Sequence, residues 1–135
     1  MPAQLSEAAK KMLAQPFLCN LATVMPDGSP QITPVWVDYD GRNILINTAE
    51  GRRKSKNMHS DPRVALDVVD PQNPYSVLSL SGRVVAMEHQ GADEHIDKLA
   101  KKYLGVDKYP MRREGEQRVI LRIEPDKIRM QPSES

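Results

Sequence analysis

Ile44-Leu-Ile-Asn-Thr-Ala-Glu-Gly-Arg-Arg-Lys-Ser-Lys-Asn57 is the stretch on which the fold turns. Ile44 to Thr48 has the length and apolar composition of a strand. Gly51 marks a turn, and Arg52, Arg53, Lys54 and Lys56 then open a short helix that is predicted to end near Ser60. The charge placement is unusual. A helix N-terminus carries partial positive charge, so cations in the first turn are unfavourable unless an anion sits among them. Free backbone N–H groups at a helix start, joined by guanidinium and ammonium groups, form a phosphate site. Two readings fit this run: a phosphate site and a solvated basic face.

Outward from this segment, turn signals alternate with apolar runs. Ser6 caps a predicted helix over 6–15 that carries Ala8, Ala9, Met12 and Leu13 and stops before Pro16. Phe17 to Met25 reads as a strand, Pro26-Asp-Gly-Ser29 as a turn, and Ile32 to Tyr39 as a second strand. Asp40-Gly41 is a hairpin turn before the Ile44 strand. Beyond the basic helix, Arg63 to Val69 is a strand and Asp70 to Pro74 a loop. Tyr75 to Met87 is a long strand, bent near Gly82. Gln90 to Leu104 is a helix with Ile96, Leu99, Ala100 and Tyr103 on one face. Gly105 to Gln117 is a polar loop, and Arg118 to Ile123 is the last strand. About six strands with three short helices predict a mainly β fold, a small closed or partly closed antiparallel barrel.

The composition narrows the classes. A chain of 135 residues suits one domain, here 1–135 with a core over 17–128 and a flexible tail over 129–135. Net charge is +1, and only six residues are aromatic, which argues against a nucleic-acid surface. A single cysteine excludes an internal disulfide framework and fits a reducing cytoplasm. Met1-Pro-Ala-Gln-Leu5 lacks the basic and apolar regions of a signal peptide, and no apolar run has membrane-spanning length.

Pro30 and Pro34 lack N–H groups on the same side of the second strand, so one edge there is incompletely paired. That edge either admits a flat ligand or another chain, or protects the sheet from aggregation. Gln31 and Thr33 put polar groups on one face, with Trp36 on the other. Catalytic groups are sparse. Cys19 reads as a buried thiol in an apolar strand, and His59, His89 and His95 have no metal-ligand spacing. No Gly-x-Ser-x-Gly elbow, Walker loop or Rossmann glycine fingerprint is present. An enzyme with this inventory takes its chemistry from a cofactor.

Several pieces, in order, resemble the pyridoxamine-phosphate-oxidase-like split barrels. They are Pro26 to Trp36, Asn47 to Asn57, Asp61 to Ala65, Asp70 to Tyr75, Gly82-Arg83 and Lys102 to Gly105. They extend over Ala14 to Ile128 and most resemble the small branch that uses the deazaflavin coenzyme F420. The resemblance implies a six-stranded antiparallel split barrel, a homodimer with two cofactor sites at its interface, and hydride transfer to or from a small unsaturated organic substrate. It implies F420 as cofactor, with FMN as the alternative, and a flavin- or deazaflavin-binding protein without turnover as the alternative to an enzyme. It carries over Arg52 and Lys54 to the cofactor phosphate, with Asn57 one turn on. Asn47 and Thr48 fall at the ring-to-chain junction, Gln31, Thr33 and Pro34 on the strand that lines the ring, and Tyr75 near the partner's site. Arg53 and Lys56 add charge that either favours the acidic tail of F420 or is plain surface. No proton donor stands out; water, Tyr75 and Tyr109 are the candidates. The loop over 105–117 either covers the site or is a polar loop.

Overall fold

The computed structural model describes residues 3–132. Helix α1 spans Glu7–Ala14, and the Ser6 hydroxyl accepts from the Ala9 amide at 3.2 Å, an N-cap bond that starts the helix. Ala9, Met12 and Leu13 are its buried residues. Strands β1 (Cys19–Val24), β2 (Pro30–Val35), β3 (Asp38–Tyr39) and β4 (Ile44–Ala49) follow, then α2 (Arg53–Ser60). Strands β5 (Arg63–Asp70) and β6 (Asn73–Glu88), helix α3 (Ala92–Leu104) and strand β7 (Arg118–Gln131) complete the chain.

All pairings are antiparallel and form one sheet in the order β2-β1-β5-β6-β7-β4-β3. The sheet has seven strands where six were expected, because the segment read as one strand from Ile32 to Tyr39 is divided at Trp36-Val37. Side chains of α3 take over the backbone at the break. The Val37 amide donates to the Tyr103 hydroxyl at 3.1 Å, and the Lys102 ammonium donates to the Val37 carbonyl at 2.7 Å. With both groups of Val37 satisfied from α3, the strand ladder is not needed there.

This break closes the barrel. Strands β2 and β3 lie at opposite edges of the sheet, yet only Trp36 and Val37 separate them. Laid flat, seven strands at ~4.8 Å spacing would put the edges about 29 Å apart. Two linking residues reach about 11 Å. The sheet therefore curls until its edges nearly meet, which is a split barrel. The edge position of β2 also explains Pro30 and Pro34, which pair with Val24 and Asn20 on one side only.

Leu21, Ile44, Ile46, Val68, Leu78, Leu121 and Ile123 fill the inside, joined by Leu13 of α1 and Met58 of α2. Burial alternates along β5, with Val64, Leu66 and Val68 inward. Strand β6 changes register between Ser81 and Gly82 and again between Val84 and Ala86, so the predicted bend is present. Strand β7 runs eight residues past the expected end at Ile123. Arg129, Met130 and Gln131, expected in a flexible tail, pair with Ser79, Leu78 and Val77. Pro125 and the charged residues after it hide this second half from a hydrophobic pattern; residues 133–135 of that tail lie outside the described residues. No helix among the described residues is long and apolar enough to cross a membrane.

Candidate functional site

The basic turn opens onto a cleft of about 310 Å³ between the β4–α2 junction, the end of β2, the start of β7 and the loop after α3. Helix α2 has Arg52 as its N-cap, with no side-chain cap bond and no acid in its first turn. The dipole penalty anticipated for the cations is therefore not offset by carboxylates within the helix. Arg52, Lys54 and Arg118 all line the cleft. Among the described residues one carboxylate answers them: Glu116 lies 3.6 Å from Arg52 and 3.0 Å from Arg118. Burial, then the charges of Arg52 and Arg118, push the Lys54 ammonium below its usual range. Cations crowded this way gain most from a ligand that brings negative charge.

The walls are flat and apolar. Trp36 stacks on Tyr103 with centroids 5.2 Å apart, and Tyr109 meets Trp36 edge-on at 5.9 Å. The Arg118 guanidinium lies 5.1 Å from the centre of the Tyr109 ring. Pro34, Leu18 and Met111 complete the apolar rim. Thr48 also lines the cleft, and its buried hydroxyl oxygen has no hydrogen-bond partner among the described residues. An orphaned buried hydroxyl beside three cations is the polar complement a phosphorylated ligand would use.

Of the nine residues singled out from sequence, Pro34, Asn47, Thr48, Arg52 and Lys54 line this cleft. The other four are not among its lining residues. Asn57 is buried on the inner side of α2, where its amide donates to the Thr23 hydroxyl at 2.9 Å and reaches the Met25 sulfur. That ties the helix to β1, while the buried Asn57 Oδ1 has no hydrogen-bond partner among the described residues. Gln31 accepts from Thr23 at 3.1 Å, and the buried Thr33 hydroxyl has no partner among the described residues. Tyr75 is 83% exposed at the start of β6.

Sequence reasoning passed over Arg118 and assigned Trp36 no place in the site. Arg118 looked like the first residue of an apolar strand, yet it is 4% exposed. A charged residue beside Val119-Ile-Leu121 was the available signal, since buried arginine needs partners. The loop over 105–117 is strapped to α3. Asp97 accepts from the Tyr109 amide at 2.8 Å and from Arg112 at 2.7 Å, while Arg112 also reaches Asp93 at 3.1 Å. These ties hold Tyr109 against the cleft.

The curled sheet and the cleft at its strand-to-helix junction define the class, a split β-barrel. The profile of the pyridoxamine 5'-phosphate oxidase family matches residues 5–132. The chain belongs to that family. A solved structure of an F420 reductase is similar with 30% identity and a TM-score of 0.81, covering 93% of this chain and 98% of that one. The pyridoxine/pyridoxamine 5'-phosphate oxidase of Rubrobacter xylanophilus is 39% identical over 61 residues, which are 44% of this chain and 28% of that protein. The chain thus spans little more than a quarter of that enzyme. The haem storage protein HutZ of Vibrio cholerae shares the fold, with 13% identity and a TM-score of 0.67, covering 95% of each chain.

Proposed function

We propose that this protein is an F420-dependent oxidoreductase that moves a hydride between the deazaflavin and a small unsaturated organic substrate. The observation that carries the reading is the convergence of Arg52, Lys54 and Arg118 on one cleft against the carboxylate of Glu116. Such a site favours an anion, and the likeness to an F420 reductase over nearly the whole of both chains favours the deazaflavin.

When bound, the deazaflavin supplies the hydride chemistry. The chain's own residues do the rest. Arg52 and Lys54 neutralise the phosphate. The Thr48 hydroxyl supplies a hydrogen bond that it lacks in the free protein. Pro34, Trp36 and Tyr109 form apolar surfaces that exclude water and keep a flat ring in one orientation. Within one chain the Tyr109 ring lies in the wall of the cleft and Tyr75 does not, so Tyr109 is the phenol its own chain places to hold a proton near a substrate. Exposed Arg53 and Lys56 extend the positive field beyond the cleft, which suits the acidic tail of F420.

We further propose a cytoplasmic homodimer. Two observations support it: the lone cysteine and the exposed apolar residues Ile32 and Tyr75 on the sheet and its β5–β6 end.

Titration of the purified protein with F420 and with FMN, followed by fluorescence, tests the cofactor. Tighter binding of F420, with oxidation of its reduced form by an added unsaturated acceptor, is the expected result. Tighter FMN binding at every salt concentration would replace the deazaflavin with the flavin, and binding of neither would end the reading.

A further inference from the structure

Beside the cleft lies a buried chain of hydrogen bonds for which the proposed function has no use. The Asp38 carboxylate oxygen Oδ2 is 3.0 Å from His95 Nε2. His95 Nδ1 is 3.1 Å from the Asn47 amide nitrogen. That nitrogen also donates to the Ala92 carbonyl at 2.8 Å. Asn47 Oδ1 accepts from Arg118 Nε at 2.9 Å. Asp38 and His95 are each 9% exposed and Arg118 4%. The members come from β3, α3, β4 and β7, and the chain ends at a cation in the cleft.

The partners settle which way each group faces. The Ala92 carbonyl can only accept, so the Asn47 atom facing it is the NH₂ group. Arg118 Nε can only donate, so the atom facing it is the Asn47 oxygen. Asn47 therefore has one orientation. Its second N–H points at His95 Nδ1, which must accept, and His95 must then carry its proton on Nε2 and donate to Asp38. The other charged groups along this chain are Lys98, which reaches Asp38 at 3.3 Å, Lys102, whose charge acts with that of Asp38, and Arg118 itself with Glu116, which Arg52 also approaches. Both N–H bonds of Asn47 are spent, so Asn47 has no donor left for a ligand. Arg118 keeps donors: its Nη2 makes no hydrogen bond among the described residues, while Nε and one N–H of Nη1 are held.

We propose that Asp38, His95 and Asn47 are a positioning relay that presents the free Nη2 of Arg118 to an anionic group of the bound cofactor. The proposal rests on the cofactor reading of the cleft, and it changes the role of Asn47 from ligand contact to support. It also makes Arg118 the third cation of the binding site. His95 acts only through Asn47, and Asn47 only through Arg118.

The test uses the full chain in two arms. In the free protein, nitrogen NMR should show His95 protonated on Nε2 with an accepting Nδ1, and a protected Arg118 Nε–H proton. His95→Phe should remove that protection and weaken F420 or FMN binding about ten-fold, the size of one charge-assisted contact. His95→Asn, whose side-chain oxygen can accept from Asn47, should restore both. In an Asn47→Ala background, His95→Phe should add no further loss, because the relay is already cut.

Additive losses in that cycle would overturn the relay, as would an Nδ1–H tautomer or an Arg118 proton still protected in His95→Phe. Should His95→Phe fail to fold, the wild-type tautomer and the Arg118 signal in Asn47→Ala decide the matter. Failure of wild type to bind either cofactor would end the functional reading, and the NMR arm would still judge the relay.

Discussion

Gly82 on β6 packs against the backbone of Glu124 on β7 so closely that no side chain fits between them. A Cβ at Gly82 would overlap the Glu124 carbonyl oxygen and lie 3.1 Å from its carbon and 3.2 Å from Pro125 Cα. The contact falls where the β6–β7 register shifts. Here the glycine is required by close backbone approach.

Gly82→Ala is therefore expected to destabilise the fold by about 1–3 kcal/mol, the usual cost of overpacking a tight site. The neighbours are backbone atoms and cannot swing aside. Urea denaturation of wild type and variant measures the effect; equal midpoints would show that the strands can separate without cost.

Arg52→Ala and Lys54→Ala should each weaken cofactor binding by about 1.5–3 kcal/mol, the range for hydrogen bonds to charged groups. The Lys54 change should also relieve repulsion with Arg52 and Arg118 in the empty protein, so its stability should hold or rise slightly. Calorimetric titration together with thermal unfolding separates the two effects. Unchanged affinity in both variants with the fold intact would remove the basic turn from the site.

Asp38 should make stability depend on acid. Burial raises its carboxyl, but hydrogen bonds from His95 and the Tyr39 amide, with the charge of Lys98, outweigh burial and hold it at about 2. The folded value is below the ordinary value near 3.9. Its contribution is thus complete above about pH 4 and is lost as pH falls toward 2. Asp61, held at about 2 by hydrogen bonds and charge from Arg63, titrates in the same window and remains as background. Denaturation midpoints between pH 5 and 2 should fall less steeply in Asp38→Asn than in wild type. Parallel curves would mean that Asp38 is no more stabilised as an anion in the folded state than in the unfolded one.

The dimer should depend on the outer face of the sheet. Ile32 is 65% exposed and borders a groove of about 440 Å³ lined also by Ala22, Asp67, Ser79 and Lys127. A second copy covering this face would bury an apolar patch that water otherwise meets. Light scattering should give a dimer for wild type and a monomer for Ile32→Glu. Tyr75→Ala should weaken cofactor binding only in the dimer, since Tyr75 does not line its own chain's cleft. A wild-type monomer with full cofactor affinity would refute the arrangement.

Local chemistry was legible in the residues themselves. Ser6 announces the first cap, Pro30 and Pro34 the edge of the sheet, and Gly82 the bend. The basic turn after Thr48 marks the mouth of the cleft. Each is a property of a few neighbouring positions, which is the range over which capping, strand pairing and turn chemistry act. The tertiary structure alone decided what meets across the barrel. Asn47 and Arg118 are 71 positions apart, and His95 and Asp38 are 57 apart. They touch because Trp36-Val37 curls the sheet and α3 packs over the gap, using Lys102 and Tyr103 to hold the backbone there. Asn57 shows the converse. Its place one turn after the cations suggested a ligand contact, and helix packing directs its amide nitrogen inward to Thr23. No local period encodes that choice, because it depends on which face of α2 meets β1.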